Sequence, residues 1–480
     1  MERPLGPEDP TTLPSGSVPL CVDLDGTLIR TDTLHEGLVG LAKQAPGQLF
    51  LLPFWLARGR AHLKIAVSRR VPLDPGCLPF ETGFVTYLQA QRAAGRQLWL
   101  VTGAAREVAE AIAVHLGIFE GVLASEGDEN LTSRKKVAAL QRRFPEGFDY
   151  AGNSWADLPA WAAARQAILV AAPPAVARRA RERGNVVLEF PRKDRGAAIV
   201  DALRFPQWAR NFLVLVPALA AHRVGGLREL AQLATTLVAF GVVDSATFLV
   251  RDILDMESDR RRPDARQRPF ASGVLSIPVG LLLALALLGA GALIAAWLPL
   301  TVGLLLAGSL VATLAYSFSL KRLPIIDVVL LAGLYTARIY AGGVAADVPV
   351  SEWLASFSMF LFFSLAFLRR ASDLVATGGT CSGRGYLPDD IGPVFTMGIS
   401  SGYLSVLVLA LYISRSEVRR LYGHPGWLWG LCPLVLFWVS HVWLLARRGE
   451  VNDDPLSFAL RSRESWAVLL LGVALAWLGT

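Results

Sequence analysis

Three carboxylates close an apolar stretch in the run Arg251-Asp252-Ile253-Leu254-Asp255-Met256-Glu257-Ser258-Asp259. Their i, i+3, i+7 spacing puts Asp252, Asp255 and Asp259 on one helix face. Charges at the end of a membrane-buried helix are costly to desolvate and persist where an ion, a cavity or a partner offsets that cost. A face of hard oxygen ligands suits Mg²⁺ and, through it, a diphosphate. A second pair of acids, in Asp23-Leu24-Asp25-Gly26-Thr27, follows the strand-like run Val18–Val22. The carboxyl end of a strand is where open α/β sheets bind ligands.

Positioning both sets requires two kinds of scaffold. The chain has 480 residues, 53% of them hydrophobic, too many for an ordinary soluble enzyme. The excess is localised: charges and turn residues occur at globular density up to about residue 203, beyond which apolar runs of roughly 17–23 residues alternate with short polar loops. The net charge of +7 is spread over Arg-rich loops, which fits anionic lipid headgroups and argues against nucleic acid. Cys21, Cys77, Cys381 and Cys432 lack zinc-site or disulfide-framework spacing, as on a reducing cytosolic side. Residues 1–17 carry acids and prolines without an apolar core, so no signal peptide is expected there.

In the soluble half, Leu98-Trp99-Leu100-Val101 leads into Thr102-Gly103, a basic helix start holds Lys135 and Lys136, and Tyr150-Ala151-Gly152-Asn153 precedes Asp157. In this order the segments resemble the four motifs of the haloacid dehalogenase-like (HAD) phosphatases, over about residues 18–190. The resemblance implies an α/β Rossmannoid domain with a small helical cap, about 31–95, after a 1–17 tail. It makes Asp23 the nucleophile, Asp25 the general acid and base, Thr102 and Lys136 the phosphoryl-binding residues, and Asp23, Asp25 and Asp157 the Mg²⁺ ligands. Asn153 stands where many relatives have an acid, which leaves a regulatory, inactive domain as an alternative. The apolar runs Leu49-Phe50-Leu51-Leu52 and Phe54-Trp55-Leu56 read either as the cap's own core or as a surface leaning on the bilayer.

A charged join, 191–205, precedes nine expected spans near 207–223, 230–251, 274–297, 299–318, 325–346, 352–368, 393–413, 427–446 and 464–480. A cytosolic N-terminus puts the Asp cluster, Lys321-Arg322, Arg369-Arg370 and Arg447-Arg448 on the inner side, in a plasma or inner membrane. Arg260, Arg261 and Arg262 read as topology and headgroup residues rather than ligands.

Gln207-Trp208-Ala209-Arg210-Asn211, the Asp252/Asp255/Asp259 motif, Arg268-Pro269-Phe270-Ala271-Ser272-Gly273, Tyr316-Ser317 with Lys321, and Arg338 before Ala341-Gly342-Gly343 together resemble the UbiA superfamily of intramembrane prenyltransferases. The resemblance covers about 206–480 and implies an all-α transmembrane bundle around a lipid-open cavity. Within the superfamily it points to the branch that transfers phosphoribose to decaprenyl phosphate, also through Arg369-Arg370 with Asp373 and Phe458-Ala459-Leu460-Arg461-Ser462-Arg463. It makes Asp252 and Asp255 catalytic, Asp252, Asp255, Asp259 and Asp373 metal ligands, and Asn211, Tyr316, Lys321, Arg338, Arg369 and Arg370 substrate contacts. Arg251 replaces a usual Asn and Ala265 a usual Lys; Arg251 either grips phosphate bidentately or marks a missing metal. Tyr386 reads equally as a pocket or an interface residue.

Two function classes follow for the Mg²⁺-dependent enzyme. In one, phosphoribosyl pyrophosphate and a polyprenyl phosphate lipid give a phosphoribosyl lipid, which the HAD-like domain dephosphorylates. In the other, a polyprenyl diphosphate alkylates an aromatic or quinone precursor beside an unrelated phosphatase. A membrane-anchored phosphatase or sensor with an inactive transferase half is a third reading, and oligomeric state is left open.

Overall fold

The computed structural model describes residues 18–126, 130–192, 194–221, 226–263, 265–376, 385–416, 418, 422–451, 458–459 and 462–479. The expected tail 1–17, Cys381 and part of the Phe458–Arg463 run lie outside them. The chain forms two compact units, one running to Ala202 and including Leu249–Leu282, the other holding Leu203–Phe248 and the chain from Leu283 onward.

The first unit is built on six parallel strands: β1 (Leu20–Val22), β2 (Leu98–Ala105), β3 (Gly121–Ser125), β4 (Asp149–Gly152), β5 (Ala167–Val170) and β6 (Val186–Phe190), in the order β3-β2-β1-β4-β5-β6. Strands covered on both faces read as unbroken apolar runs, as β1 and β5 do. Alternation divides each between two cores: Leu20, Val22, Leu98 and Leu100 enter one, Cys21, Val101, Tyr150 and Leu169 the other. The order reverses at β1, and the crevice at such a switch point is where doubly wound sheets take ligands.

Between β1 and β2 stand α1 (Thr33–Gln44), a 3₁₀ turn Pro46–Leu51, α2 (Leu52–Ala57), α3 (Arg60–Ser68) and α4 (Thr82–Ala93). The region expected as the cap, 31–95, divides between two cores. Phe84, Tyr87 and Leu88 of α4 belong to the sheet's core, whereas Leu41, Trp55, Ala66, Val67 and Val71 form a separate core within the cap. Beyond β2, α5 (Arg106–Leu116), α6 (Arg134–Arg143), α7 (Leu158–Ala163) and α8 (Pro174–Arg181) complete the layers. The expected charged join contains a helix, α9 (Arg195–Leu203).

Among the described residues seven helices, not nine, are long and apolar enough to cross a membrane. They are α11 (Leu227–Arg261), α12 (Ile277–Ala295), α13 (Leu300–Phe318), α14 (Ile326–Ala345), α15 (Glu352–Ala376), α16 (Ile391–Ile413, with a 3₁₀ lead-in) and α17 (Leu431–Arg447, likewise). The first expected span, 207–223, is a 3₁₀ helix Phe205–Leu215 followed by the five-residue α10 (Val216–Ala220). Pro206 and Pro217 lack amide donors and resist a continuous α-helix. The last, α18 (Arg463–Gly479), has 17 residues, roughly 26 Å at 1.5 Å per residue, against a hydrocarbon core of about 30 Å. The 35 residues of α11 span roughly 52 Å, so its Asp-rich end can stand clear of the hydrocarbon. In the second unit Gly342 lets α14 meet the backbone near Val214, because a Cβ there would lie 1.9 Å from the Val214 carbonyl oxygen.

Candidate active sites

β1 delivers Asp23 to the crevice, where the carboxylate is buried and accepts a 2.7 Å bond from Lys136 Nζ. Of the two adjacent lysines, Lys136 points inward from α6 and Lys135 is exposed. Lys136 also donates to Tyr150 Oη at 2.8 Å and lies 3.5 Å from Asp157 Oδ1. Asp25 accepts the Thr33 amide at 2.8 Å, so the first residue of α1 touches the acid loop directly.

Burial pushes the Asp23 carboxyl up to about 6, with Lys136 opposing the rise and Asp157 adding to it. Burial and then the neighbouring Asp32 carry Asp25 up to about 7, Asp23 contributing further. A carboxyl poised near 7 can both donate and accept a proton at neutral pH. Burial works against an ionised Asp157, yet Lys136 and the hydrogen bonds around it hold its carboxyl below the ordinary value. Its Oδ2 accepts the Asn153 and Ser154 amides and the Ser154 hydroxyl, and its Oδ1 the Tyr150 hydroxyl. Asp157 thus has little capacity left for an ion. The fourth segment instead presents Asn153 to the acid loop: a Cβ on Gly26 would fall 2.0 Å from Asn153 Nδ2, and Gly26 itself has φ +77°.

Thr102 is fully buried, with Oγ1 accepting the Ala104 amide at 3.0 Å. β2 runs past it to Ala105 through a register shift, so the expected strand exit at Thr102-Gly103 is a bulged continuation. Lys64 of α3 reaches across to donate to the Gly103 carbonyl at 2.5 Å. Its charge also opposes the upward shift of Asp25.

On the end of α11, Asp252 and Asp259 are buried and Asp255 is half-buried. Asp259 is gripped by Arg268 Nη1 at 2.8 and 3.0 Å, which explains an arginine at the head of the Arg268–Gly273 loop. Arg260 is not a headgroup residue: it donates to Glu36 of α1 at 2.6 and 3.1 Å and to the carbonyls of Cys77 and Ala271. Arg251 and Ala265 lie in this same unit, the first half-buried and the second buried.

In the second unit, Arg338 donates to both oxygens of Asp244 at 2.8 and 2.9 Å, to Asn211 Oδ1 at 2.8 Å and to the Leu334 carbonyl. Arg370 bonds Asp327 at 2.5 Å and Tyr316 Oη at 2.8 Å, with Asp373 at 3.4 Å. Tyr386 Oη donates to the other oxygen of Asp327 at 2.8 Å, so it belongs to this network rather than to a surface. Both guanidiniums, expected to bind phosphate, are thus engaged by protein carboxylates, as buried charges must be. Arg369 is partly exposed with Nε 3.4 Å from Asp373, and Lys321 sits half-buried in the 3₁₀ turn Leu320–Arg322. Asn211 Nδ2 is buried and finds no hydrogen-bond partner among the described residues. No three His, Cys, Asp or Glu side chains among the described residues are gathered closely enough to hold an ion.

The profile of the UbiA prenyltransferase family matches residues 212–463, more than half of the chain. The chain belongs to the UbiA prenyltransferase family. A haloacid dehalogenase-like hydrolase profile matches residues 20–162. This UbiA protein is 37% identical to an uncharacterised protein of Sinorhizobium fredii, over 94% of the chain and 89% of that protein. It is 30% identical to a decaprenyl-phosphate phosphoribosyltransferase of Mycobacterium tuberculosis, over 59% of the chain and 93% of the relative. A UbiA homologue from Archaeoglobus fulgidus, solved with GPP and Mg²⁺, aligns at 18% identity and TM-score 0.45 over 58% of the chain and 99% of its own. The protein is therefore a multi-pass membrane enzyme in which a UbiA transferase domain is joined to a HAD-like hydrolase domain.

Sequence reasoning missed the partners of the UbiA arginines. Asp244 and Asp327 are acids inside apolar spans, a signal that by itself calls for a buried cation. Lys64 and the Glu36–Arg260 pair left no trace in spacing, since the partners lie 39 and 224 residues apart.

Proposed function

We propose that the UbiA domain transfers phosphoribose from phosphoribosyl pyrophosphate to a polyprenyl phosphate, and that the HAD-like domain then removes the 5-phosphate to leave polyprenyl-phosphoryl ribose. The observation that carries this reading is the built phosphate site on the same chain: Asp23 paired to Lys136 at 2.7 Å beside an Asp25 raised to about 7. The decaprenyl-phosphate phosphoribosyltransferases among the relatives supply a partner reaction whose product bears such a phosphate. Keeping both domains on one chain raises the effective concentration of that product at the second site.

In the transfer, a phosphate oxygen of the lipid bonds to C1 of the ribose as the C1–pyrophosphate bond breaks. Positive charge develops on the ribose, so the departing diphosphate must be held by cations. Lys321 and Arg369 are assigned that role, with Arg251 gripping phosphate in place of the usual Asn. Arg338 and Arg370 act as positioning residues, Arg338 orienting Asn211 and Arg370 orienting Tyr316 and Asp373. The orphan Nδ2 of Asn211 is a donor for the substrate.

In the hydrolysis, Asp23 attacks phosphorus while Asp25 protonates the departing ribose oxygen, leaving an aspartyl phosphate on Asp23. Asp25, now a base, takes a proton from water, which attacks phosphorus and releases orthophosphate. Lys136 and Thr102 hold phosphoryl oxygens, and Asp157 keeps Lys136 oriented. Burial raises both Asp23 and Asp25, and a divalent cation beside them would favour their ionised forms. Asp23, Asp25 and the Asn153 amide would hold Mg²⁺ there, and Asp252 and Asp255 in the UbiA domain, with Asp373 supporting the donor. The chemistry it supplies is neutralisation of phosphate charge. Asp259, held by Arg268, serves to order the loop.

The test offers the protein in lipid discs two labelled donors: phosphoribosyl pyrophosphate with polyprenyl phosphate, or polyprenyl diphosphate with an aromatic acid. Only the first should yield a new, ribosylated lipid, and not in Asp252→Ala, with no prenylated aromatic acid from the second. Release of diphosphate only from the second would establish aromatic prenyl transfer instead.

A further inference from the structure

The cap carries an apolar surface that neither domain's chemistry uses. Within Pro46–Ala57, Phe50 is 82% exposed and Phe54 68%, with Leu51 and Leu56 beside them also exposed. These side chains are not a displaced core, since Trp55 of the same turn points inward to Leu41 and Val67. The Arg70 guanidinium covers the Trp55 ring at 4.5 Å. From residue 37 to residue 73 the chain holds Lys43, Arg58, Arg60, Lys64, Arg69 and Arg70 and no Asp or Glu.

We propose that Pro46–Ala57 is an interfacial membrane anchor, its Phe50 and Phe54 face seated in an anionic phospholipid surface. Three observations select a bilayer as the occupant. The composition, aromatic and leucine side chains framed by basic ones, is that of helices that lie in the headgroup plane. A second copy of the chain would bring this wholly basic segment against itself, with like charges unfavourably apposed. The cap is also held at a membrane-crossing helix already: Glu36 of α1 and Asp74 beyond α3 pair with Arg260 and Arg261 at the polar end of α11. That tether keeps the cap on the chain's own membrane helix, so anchoring needs no separate encounter with a membrane.

The anchor joins two helices that touch the phosphatase site, α1 through the Thr33 amide on Asp25 and α3 through Lys64 on the Gly103 carbonyl. Seating it in the headgroups would fix the cap where a phosphate carried on a lipid arrives. This goes beyond the proposed reaction and stands whichever lipid is the substrate.

The test uses the full chain, one copy per lipid disc of phosphatidylcholine and phosphatidylglycerol, with Cys77, Cys381 and Cys432 changed to Ser. An environment-sensitive fluorophore is placed at Phe54→Cys, at Phe50→Cys, or at Val114→Cys, which is 82% exposed on α5. Headgroup-region spin-labelled lipid should quench positions 50 and 54 severalfold more than position 114, with blue-shifted emission at the first two. Replacing phosphatidylglycerol by phosphatidylcholine should weaken that contrast. Quenching at 50 and 54 no greater than at 114 would overturn the proposal. So would shielding that grows with copies per disc but not with quencher, which would assign the face to a second copy.

Discussion

Replacing Lys136 by Met isolates the ion pair at the centre of the phosphatase site. The wild-type Asp23 carboxylate is buried with Lys136 Nζ at 2.7 Å, and Lys136 restrains a carboxyl that burial has already raised to about 6. Without the ammonium the carboxyl rises further. Each pH unit of rise costs up to about 1.4 kcal/mol of stability at pH 8, where the unfolded Asp is ionised. Breaking a buried pair by removing one partner typically costs 3–5 kcal/mol. At pH 5, below the folded-state value of about 6, Asp23 is mostly protonated in both proteins. What remains there is the lost bond to Tyr150, about 1 kcal/mol, together with the loss of the Lys136 charge beside the still-ionised Asp157. Native-state hydrogen exchange on β1 and β4 peptides, in chelator, with intrinsic rates corrected for pH, reads both values on the full chain. A loss equal at the two pH values, or below about 1 kcal/mol at pH 8, would refute the electrostatic account.

The same buried charges and close contacts set other expectations. In chelator, wild-type Asp23 and Asp25 stay protonated below about 6 and about 7, whereas in the unfolded chain they ionise near 4. Their stabilising contribution is therefore complete in acid and lost as pH rises through 6 to 7; Mg²⁺ should restore protection of β1 at pH 8 and much less at pH 5. Gly342→Ala sets a Cβ 1.9 Å from a backbone oxygen that cannot rotate away, and should cost about 3 kcal/mol or more of stability, seen as lower yield and earlier thermal aggregation in detergent. Arg370→Met leaves Asp327 buried without its cation and should destabilise by about 3–5 kcal/mol. Arg369→Gln, partly exposed, should instead lower transferase turnover while leaving the unfolding temperature nearly unchanged.

The HAD-like domain was legible because its chemistry follows apolar runs that announce themselves: β1 before Asp23, the Leu98–Val101 part of β2 before Thr102, β4 before Asn153. The cap's limits were less so, since α4 and the cap helices are similarly apolar and only packing assigns Phe84 to the sheet and Trp55 to the cap. Among the described residues seven of the nine expected spans are helices long and apolar enough to cross a membrane; the first is broken at Pro217 and the last, Arg463–Gly479, has 17 residues, features that a sliding window does not register. The resemblance to the UbiA superfamily gave Arg338 and Arg370 as substrate contacts, and it names no protein partner for either guanidinium. The actual partners, Asp244 and Asp327, lie 94 and 43 residues away, a distance that only the folded helices close. The sequence likewise gives the position of Asp157 in its motif but not the amides and hydroxyls that bond its oxygens.

The most direct test of the coupled scheme is the ratio of orthophosphate to pyrophosphate released when the full chain in lipid discs is given phosphoribosyl pyrophosphate, Mg²⁺ and polyprenyl phosphate. Wild type should approach one orthophosphate for each pyrophosphate. Asp23→Asn should keep pyrophosphate release, lose orthophosphate and accumulate a lipid that retains its 5-phosphate. Equal ratios in the two proteins, or pyrophosphate release without any ribosylated lipid, would contradict the account.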